Sequence, residues 1–195
     1  MVQVKALGSE FLVNTTTAGS QSESSVSALP NGNFIAIWKD TSQSAGDTSA
    51  DAIRGQIFAP DGAVIGNEFV VNSTIASAQT NPVVAGLDSG RFAAAWIDNS
   101  QQGGDTSGSA IRVRVFENDG SPYISDFEVN TTQLGGQIQP AITALDGGGF
   151  VVAWSDPSAT GDDTSSWAIR GAILDGNGNR IGSDFVLNTE TLSAQ

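Results

Sequence analysis

Phe34-Ile-Ala-Ile-Trp38-Lys-Asp40, Phe92-Ala-Ala-Ala-Trp96-Ile-Asp98 and Phe150-Val-Val-Ala-Trp154-Ser-Asp156 are one strand written three times. The tryptophans lie 58 residues apart both times, which marks an internal repeat in strict register. Under period-2 alternation Phe, a small residue, Trp and Asp share one face. The other face carries Ile35 and Ile37, Ala93 and Ala95, or Val151 and Ala153. Apolar residues on both faces predict a strand covered on both sides.

Working outward, the same step carries Phe11, Phe69, Phe127 and Phe185, and the asparagines Asn14, Asn72, Asn130 and Asn188 three residues after each. It also carries Gln21, Gln79 and Gln137, and Gly32, Gly90 and Gly148. Each unit reads as four strands. The first covers Ser25 to Leu29, Val83 to Leu87 or Ala141 to Leu145, and a glycine turn joins it to the Trp strand as a hairpin. The third covers Ala52 to Phe58, Ala110 to Phe116 or Ala168 to Leu174. A turn at Asp61-Gly62, Asp119-Gly120 or Asn177-Gly178 then leads into the Phe-x-x-Asn strand. No stretch has capped helical spacing, so the class is all-β.

The 195 residues form a single repeat domain, with repeats at about 22–79, 80–137 and 138–195 and an extra partial repeat at 1–21. A chain that begins and ends at the same phase reads either as an excerpt from a longer array or as a chain whose spare strand serves closure. Four-stranded units of this length fit the blades of a β-propeller, three per chain, and two chains closing as a six-bladed dimer would fall within the usual four to eight blades. The alternative is a three-fold β-trefoil-like barrel.

The composition excludes several chemistries. With 21 acidic and 8 basic residues the net charge is −13, which disfavours nucleic acid and anionic membrane surfaces. There is no cysteine and no histidine, hence no disulfide, no thiol chemistry and no imidazole base. No apolar run is long enough to span a bilayer, and the first residues lack the apolar core of a secretory signal. This leaves a cytoplasmic chain, one exported without a cleaved signal, or a piece of a longer protein.

Phe-x-Val-Asn-Thr, then Gln and Pro, then Gly-x-Phe-x-x-x-Trp, an Asp-rich loop, Ile-Arg and Asp-Gly resembles a tandem repeat of large secreted bacterial proteins of the RTX or haemolysin-type calcium-binding class. The third copy shows it most fully, in Asn130-Thr131, Gln137, Pro140, Gly148-Gly149-Phe150 and Trp154. The resemblance covers the whole chain. It implies a secreted or cell-surface, repeat-built, non-catalytic and often adhesive region. The calcium-binding nonapeptide of that class is absent; Gly103-Gly104-Asp105 is a fragment of it.

The loop after each Trp strand is long and polar and contributes two recurring carboxylates per unit: Asp40 and Asp47, Asp98 and Asp105, Asp156 and Asp163. With hydroxyls and carbonyls nearby these are the hard oxygen ligands that Ca2+ accepts, so calcium is the expected cofactor. The competing reading is that the same side chains cap their own turns. Arg54, Arg112 and Arg170 read as ion-pair partners for the recurring Asp, with ligand binding as the second reading. Trp38, Trp96 and Trp154 read as core. Trp167 has Asp51 and Ser109 as counterparts, which places it on the surface as a contact for sugar or protein.

An enzyme needs a centre that differs from its repeats, and the recurring residues show none. The expectation is therefore no enzyme but a lectin-like binding or adhesion module for a carbohydrate or cell-surface ligand, with a homodimer as a further partner. A spacer or self-assembly element of a larger adhesin is the alternative. A glycoside hydrolase, which needs an acidic pair, stands third.

Overall fold

The computed structural model describes residues 9–44, 46–48, 50–160 and 166–189. Its strands form three separate four-stranded antiparallel sheets, and the described residues contain no helix. The first sheet is β1 (Gln21–Ala28), β2 (Phe34–Asp40), β3 (Ala52–Phe58) and β4 (Val64–Val70), paired in chain order. The second is β5 (Gln79–Gly86), β6 (Phe92–Asp98), β7 (Ala110–Phe116) and β8 (Phe127–Glu128). The third is β9 (Ile138–Ala144), β10 (Phe150–Asp156), β11 (Ala168–Leu174) and β12 (Arg180–Val186). Each is an open up-and-down meander, as in a propeller blade, and no sheet shares strands with another as a trefoil barrel would require.

The sheets stack through the two faces of the Trp strand. Phe92, Ala94 and Trp96 of the second blade pack against Ile35, Ile37, Ile53 and Ile57 of the first. Phe150, Val152 and Trp154 of the third pack in the same way against Ala93, Ala95, Ile111 and Val113 of the second. Trp96 and Trp154 are 0% and 1% exposed, so the indoles are core. Fully burying side chains of this size contributes about 1.5–3 kcal/mol each, which makes these two seams the main source of cohesion.

Two departures from the sequence reading matter. The first strand of each blade starts at or near the recurring Gln, several residues before Val26, Val84 or Ile142, and bulges on the way. The fourth strand of the second blade shrinks to two residues plus one bridge, Phe116 to Pro122. Blades one and three bend this strand at Gly66 and Gly182, with φ of 68° and 77°, where blade two has Ile124. A β-branched residue resists that conformation, and Pro122 offers no N–H to the ladder.

Candidate functional site

The recurring polar residues come together at the ends of the Trp strands. Trp38 and Arg54, Trp96 and Arg112, and Trp154 and Arg170 are cross-strand partners, so each Arg lies on the face of the Asp two residues beyond the Trp. Arg54 Nε lies 2.5 Å from Asp40 Oδ2, Arg112 Nε 2.6 Å from Asp98 Oδ2, and Arg170 Nε 2.6 Å from Asp156 Oδ2. The third is a charge contact without hydrogen-bond alignment. The outer guanidinium nitrogens donate to loop carbonyls, those of Ser44, Gln102 and Thr160, and in the first two blades also to Glu68 and Asp126. Each arginine thus pins its polar loop to the blade. For Asp40, burial works to raise the pKa, but hydrogen bonds from Ser42, Gln21 and Arg54 outweigh it and hold the carboxyl below its ordinary value.

In the first two blades the second carboxylate of the loop meets the Asn that follows the fourth strand. Asn72 Oδ1 accepts from Ile53 N at 2.8 Å, and its amide donates to Asp47 at 2.8 Å and to Gln79 at 3.2 Å. Asn130 repeats this with Ile111, Asp105 and Gln137. Gln79 in turn donates to Asp98, so one chain of hydrogen bonds crosses the seam between blades. Burial raises the pKa of Asp105; the Ser107 N–H opposes this and the charge of Glu128 adds to it. Among the described residues no group of three or more Asp or Glu is arranged to hold a metal ion. Asp163 lies outside the described residues.

Trp167 is half-buried and keeps part of its area open to solvent. The position belongs to a blade junction: Asp51 O accepts from Gln79 N and Ser109 O from Gln137 N, and Ser109 itself is buried.

A different set converges where the first strands of the blades lie side by side. Glu23, Asn81 and Gln139 occupy equivalent positions and all take a left-handed backbone, with φ of 55°, 51° and 56°. Each is exposed, and with Ser24, Pro82, Val83 and Pro140 they line a cleft of about 380 Å³. Non-glycine residues in this conformation carry strain that the surrounding bulge must hold, as do Gln43, Gln101 and Ala159 in the polar loops. Glu23 Oε1 is 2.5 Å from Lys39 Nζ, and Oε2 accepts from Asn81 N at 2.7 Å, across the blade seam. Burial works to raise the Glu23 pKa; the Lys39 and Asn81 hydrogen bonds and the Lys39 charge override it, so the carboxylate is ionised and fixed. Gln139 Oε1 accepts from Ser155 Oγ at 3.0 Å. An oriented carboxylate and two carboxamides around one cleft can hold hydroxyl groups by hydrogen bonds.

This site is absent from the sequence reading, which started the first strand too late. The signal was present: in a unit of constant landmarks, the position that runs Glu, Asn, Gln stays polar while changing identity.

No family model and no curated protein sequence matches the chain. Solved structures do. An α-L-arabinanase of Penicillium chrysogenum complexed with arabinobiose superposes with a TM-score of 0.60 at 16% identity, covering 88% of this chain and 50% of that one. The fold is shared with arabinan-degrading enzymes. A GH93 α-L-arabinofuranosidase of Fusarium graminearum with arabinobiose gives 0.57 at 15% identity, covering 92% and 53%. An endo-arabinase of Bacteroides thetaiotaomicron gives 0.54 at 12%, covering 93% and 67%. The chain spans about half the length of the first two enzymes.

These likenesses correct two expectations. A non-catalytic adhesion module, or a spacer in an adhesin, rested on the resemblance to RTX-type repeats together with repeat symmetry, and the exclusion of enzymes rested on repeat symmetry. The matching folds are those of glycoside-cleaving enzymes, and the symmetry argument fails on a physical point. Asp40, Arg54 and their copies recur because they build each blade, whereas the cleft between the first strands is where equivalent positions differ.

Proposed function

We propose that the chain forms three blades of a carbohydrate-active propeller of the glycoside hydrolase kind, and that its sugar lies in the cleft of Glu23, Asn81 and Gln139. The observation that carries this reading is the convergence of one carboxylate and two carboxamides, all exposed and on left-handed backbone, on one cleft, in a fold that arabinan-degrading enzymes use. Glu23, held ionised, orients a sugar hydroxyl or serves as the basic partner of a carboxylate pair. Its proton-donating counterpart is not among the residues lining this cleft. Short pentose oligosaccharides are the first substrates to examine, because arabinobiose accompanies two of the similar structures. Secretion, implied by the resemblance to RTX-type repeats, would bring the protein to such polymers.

The test compares wild type with Glu23→Gln for arabinobiose binding by calorimetry and for reducing-end release from arabinan. Loss of one charge-assisted hydrogen bond should weaken binding by about 1.5–3 kcal/mol, roughly ten- to a hundredfold. Equal binding by both proteins would contradict the assignment.

A further inference from the structure

The two ends of the three-blade stack are the two halves of the seam that already joins the blades. On the third blade, Leu145, Val151, Ala153, Ile169, Ile173 and Leu187 occupy the places of residues that are sealed elsewhere. Leu145 is 36% and Leu187 46% exposed, whereas their counterparts Leu29 and Val71 are 3% and 0%, and Leu87 and Val129 are both 0%. On the first blade, Val26 is 66% exposed where Val84 is 7%, and Phe34 is part-exposed where Phe92 and Phe150 are 0%. Val26, Phe34, Ala36 and Trp38 line a groove of about 430 Å³.

Residues 9–16 partly fill this groove as a stand-in for the fourth strand of a preceding blade. Phe11 lies 5.5 Å from Phe58 in a tilted pair, as Phe69 lies 5.8 Å from Phe116 one blade on. Thr15 N and Oγ1 each donate to Glu68 Oε2 at 2.8 Å, as Ser73 N donates to Asp126 and Thr131 to Asp184 at the later junctions. The segment nevertheless pairs with no third strand, and Phe11 and Leu12 are 50% and 70% exposed.

We propose that a second copy of this chain docks head to tail here, its third blade seating on the Trp38 face and displacing residues 9–16. The Phe185-Val-Leu-Asn188-Thr phrase of the incoming blade matches the displaced Phe11-Leu-Val-Asn14-Thr in register, so it takes over the same contacts. Gln21 N then donates to Trp167 O of the other copy, the bond that Gln79 and Gln137 make to Asp51 and Ser109. A heterologous contact of this kind closes into a ring where its rotation allows, and two chains of three blades make six. Residues 9–16 act as a cap that competes with association. This inference concerns the ends of the stack and does not depend on the sugar reading.

Sedimentation analysis of wild type and of a variant lacking residues 1–16, with tryptophan emission confirming the native core, tests it. Deletion should shift the equilibrium toward twice the chain mass by about tenfold or more, and Leu145→Asp in the same background should reverse the shift. Phe11→Ser keeps the chain at full length, loosens the cap and should act in the same direction should the deletion perturb folding. A single-chain mass for both cap variants at roughly 100 µM, well above a micromolar affinity, overturns the proposal. So does a dimer indifferent to Leu145→Asp.

Discussion

Asp98 and Arg112 face each other with side-chain exposures of 1% and 6%, so both charges are largely desolvated and each depends on the other. Asp98→Ala should lower stability to urea by about 3–5 kcal/mol, the usual cost of stranding one member of a buried ion pair. A loss below about 1 kcal/mol, as for a surface pair, would show that the guanidinium is not held as described. At this scale the structural residues were legible because they obey the 58-residue step: every recurring Asp of the Trp strand finds the recurring Arg of the third strand. Glu23 was not legible by the same rule. Its equivalents are Asn81 and Gln139, so it reads as background in a search for recurring chemistry, and Ser22, Ser24 and Ser25 around it resemble a linker.

The first strands are the elements that bring this chemistry together. Gly86 on β5 runs so close to β1 that a methyl group there would meet the Ala28 carbonyl oxygen. The neighbour is backbone, which cannot rotate aside, so Gly86→Ala must push the ends of β1 and β5 apart. The expected cost is about 1–3 kcal/mol, read as a lower urea midpoint with an unchanged slope, and an unshifted midpoint would contradict the close approach. The Trp strands and their hairpins were legible from alternation and turn glycines. The bulges at Glu23, Asn81 and Gln139 were not, because a left-handed Glu or Gln has no compositional mark; neighbouring strands hold that conformation.

For the whole molecule, the repeat length and four-strand pattern led to blades, and the three separate meanders agree with that reading. Function did not follow from symmetry. A propeller places equivalent strands around one axis, so the scaffold can be periodic while the residues at the axis vary. The stack also ends in two complementary faces whose apolar residues are sealed only where another blade follows. The most direct test of the central claim is an amide chemical-shift map of the wild-type chain titrated with arabinobiose. The account predicts perturbations centred on Glu23, Asn81 and Gln139 and their strand neighbours. Perturbations confined to the Asp40, Asp98 and Asp156 loops, or none at millimolar sugar, would contradict it.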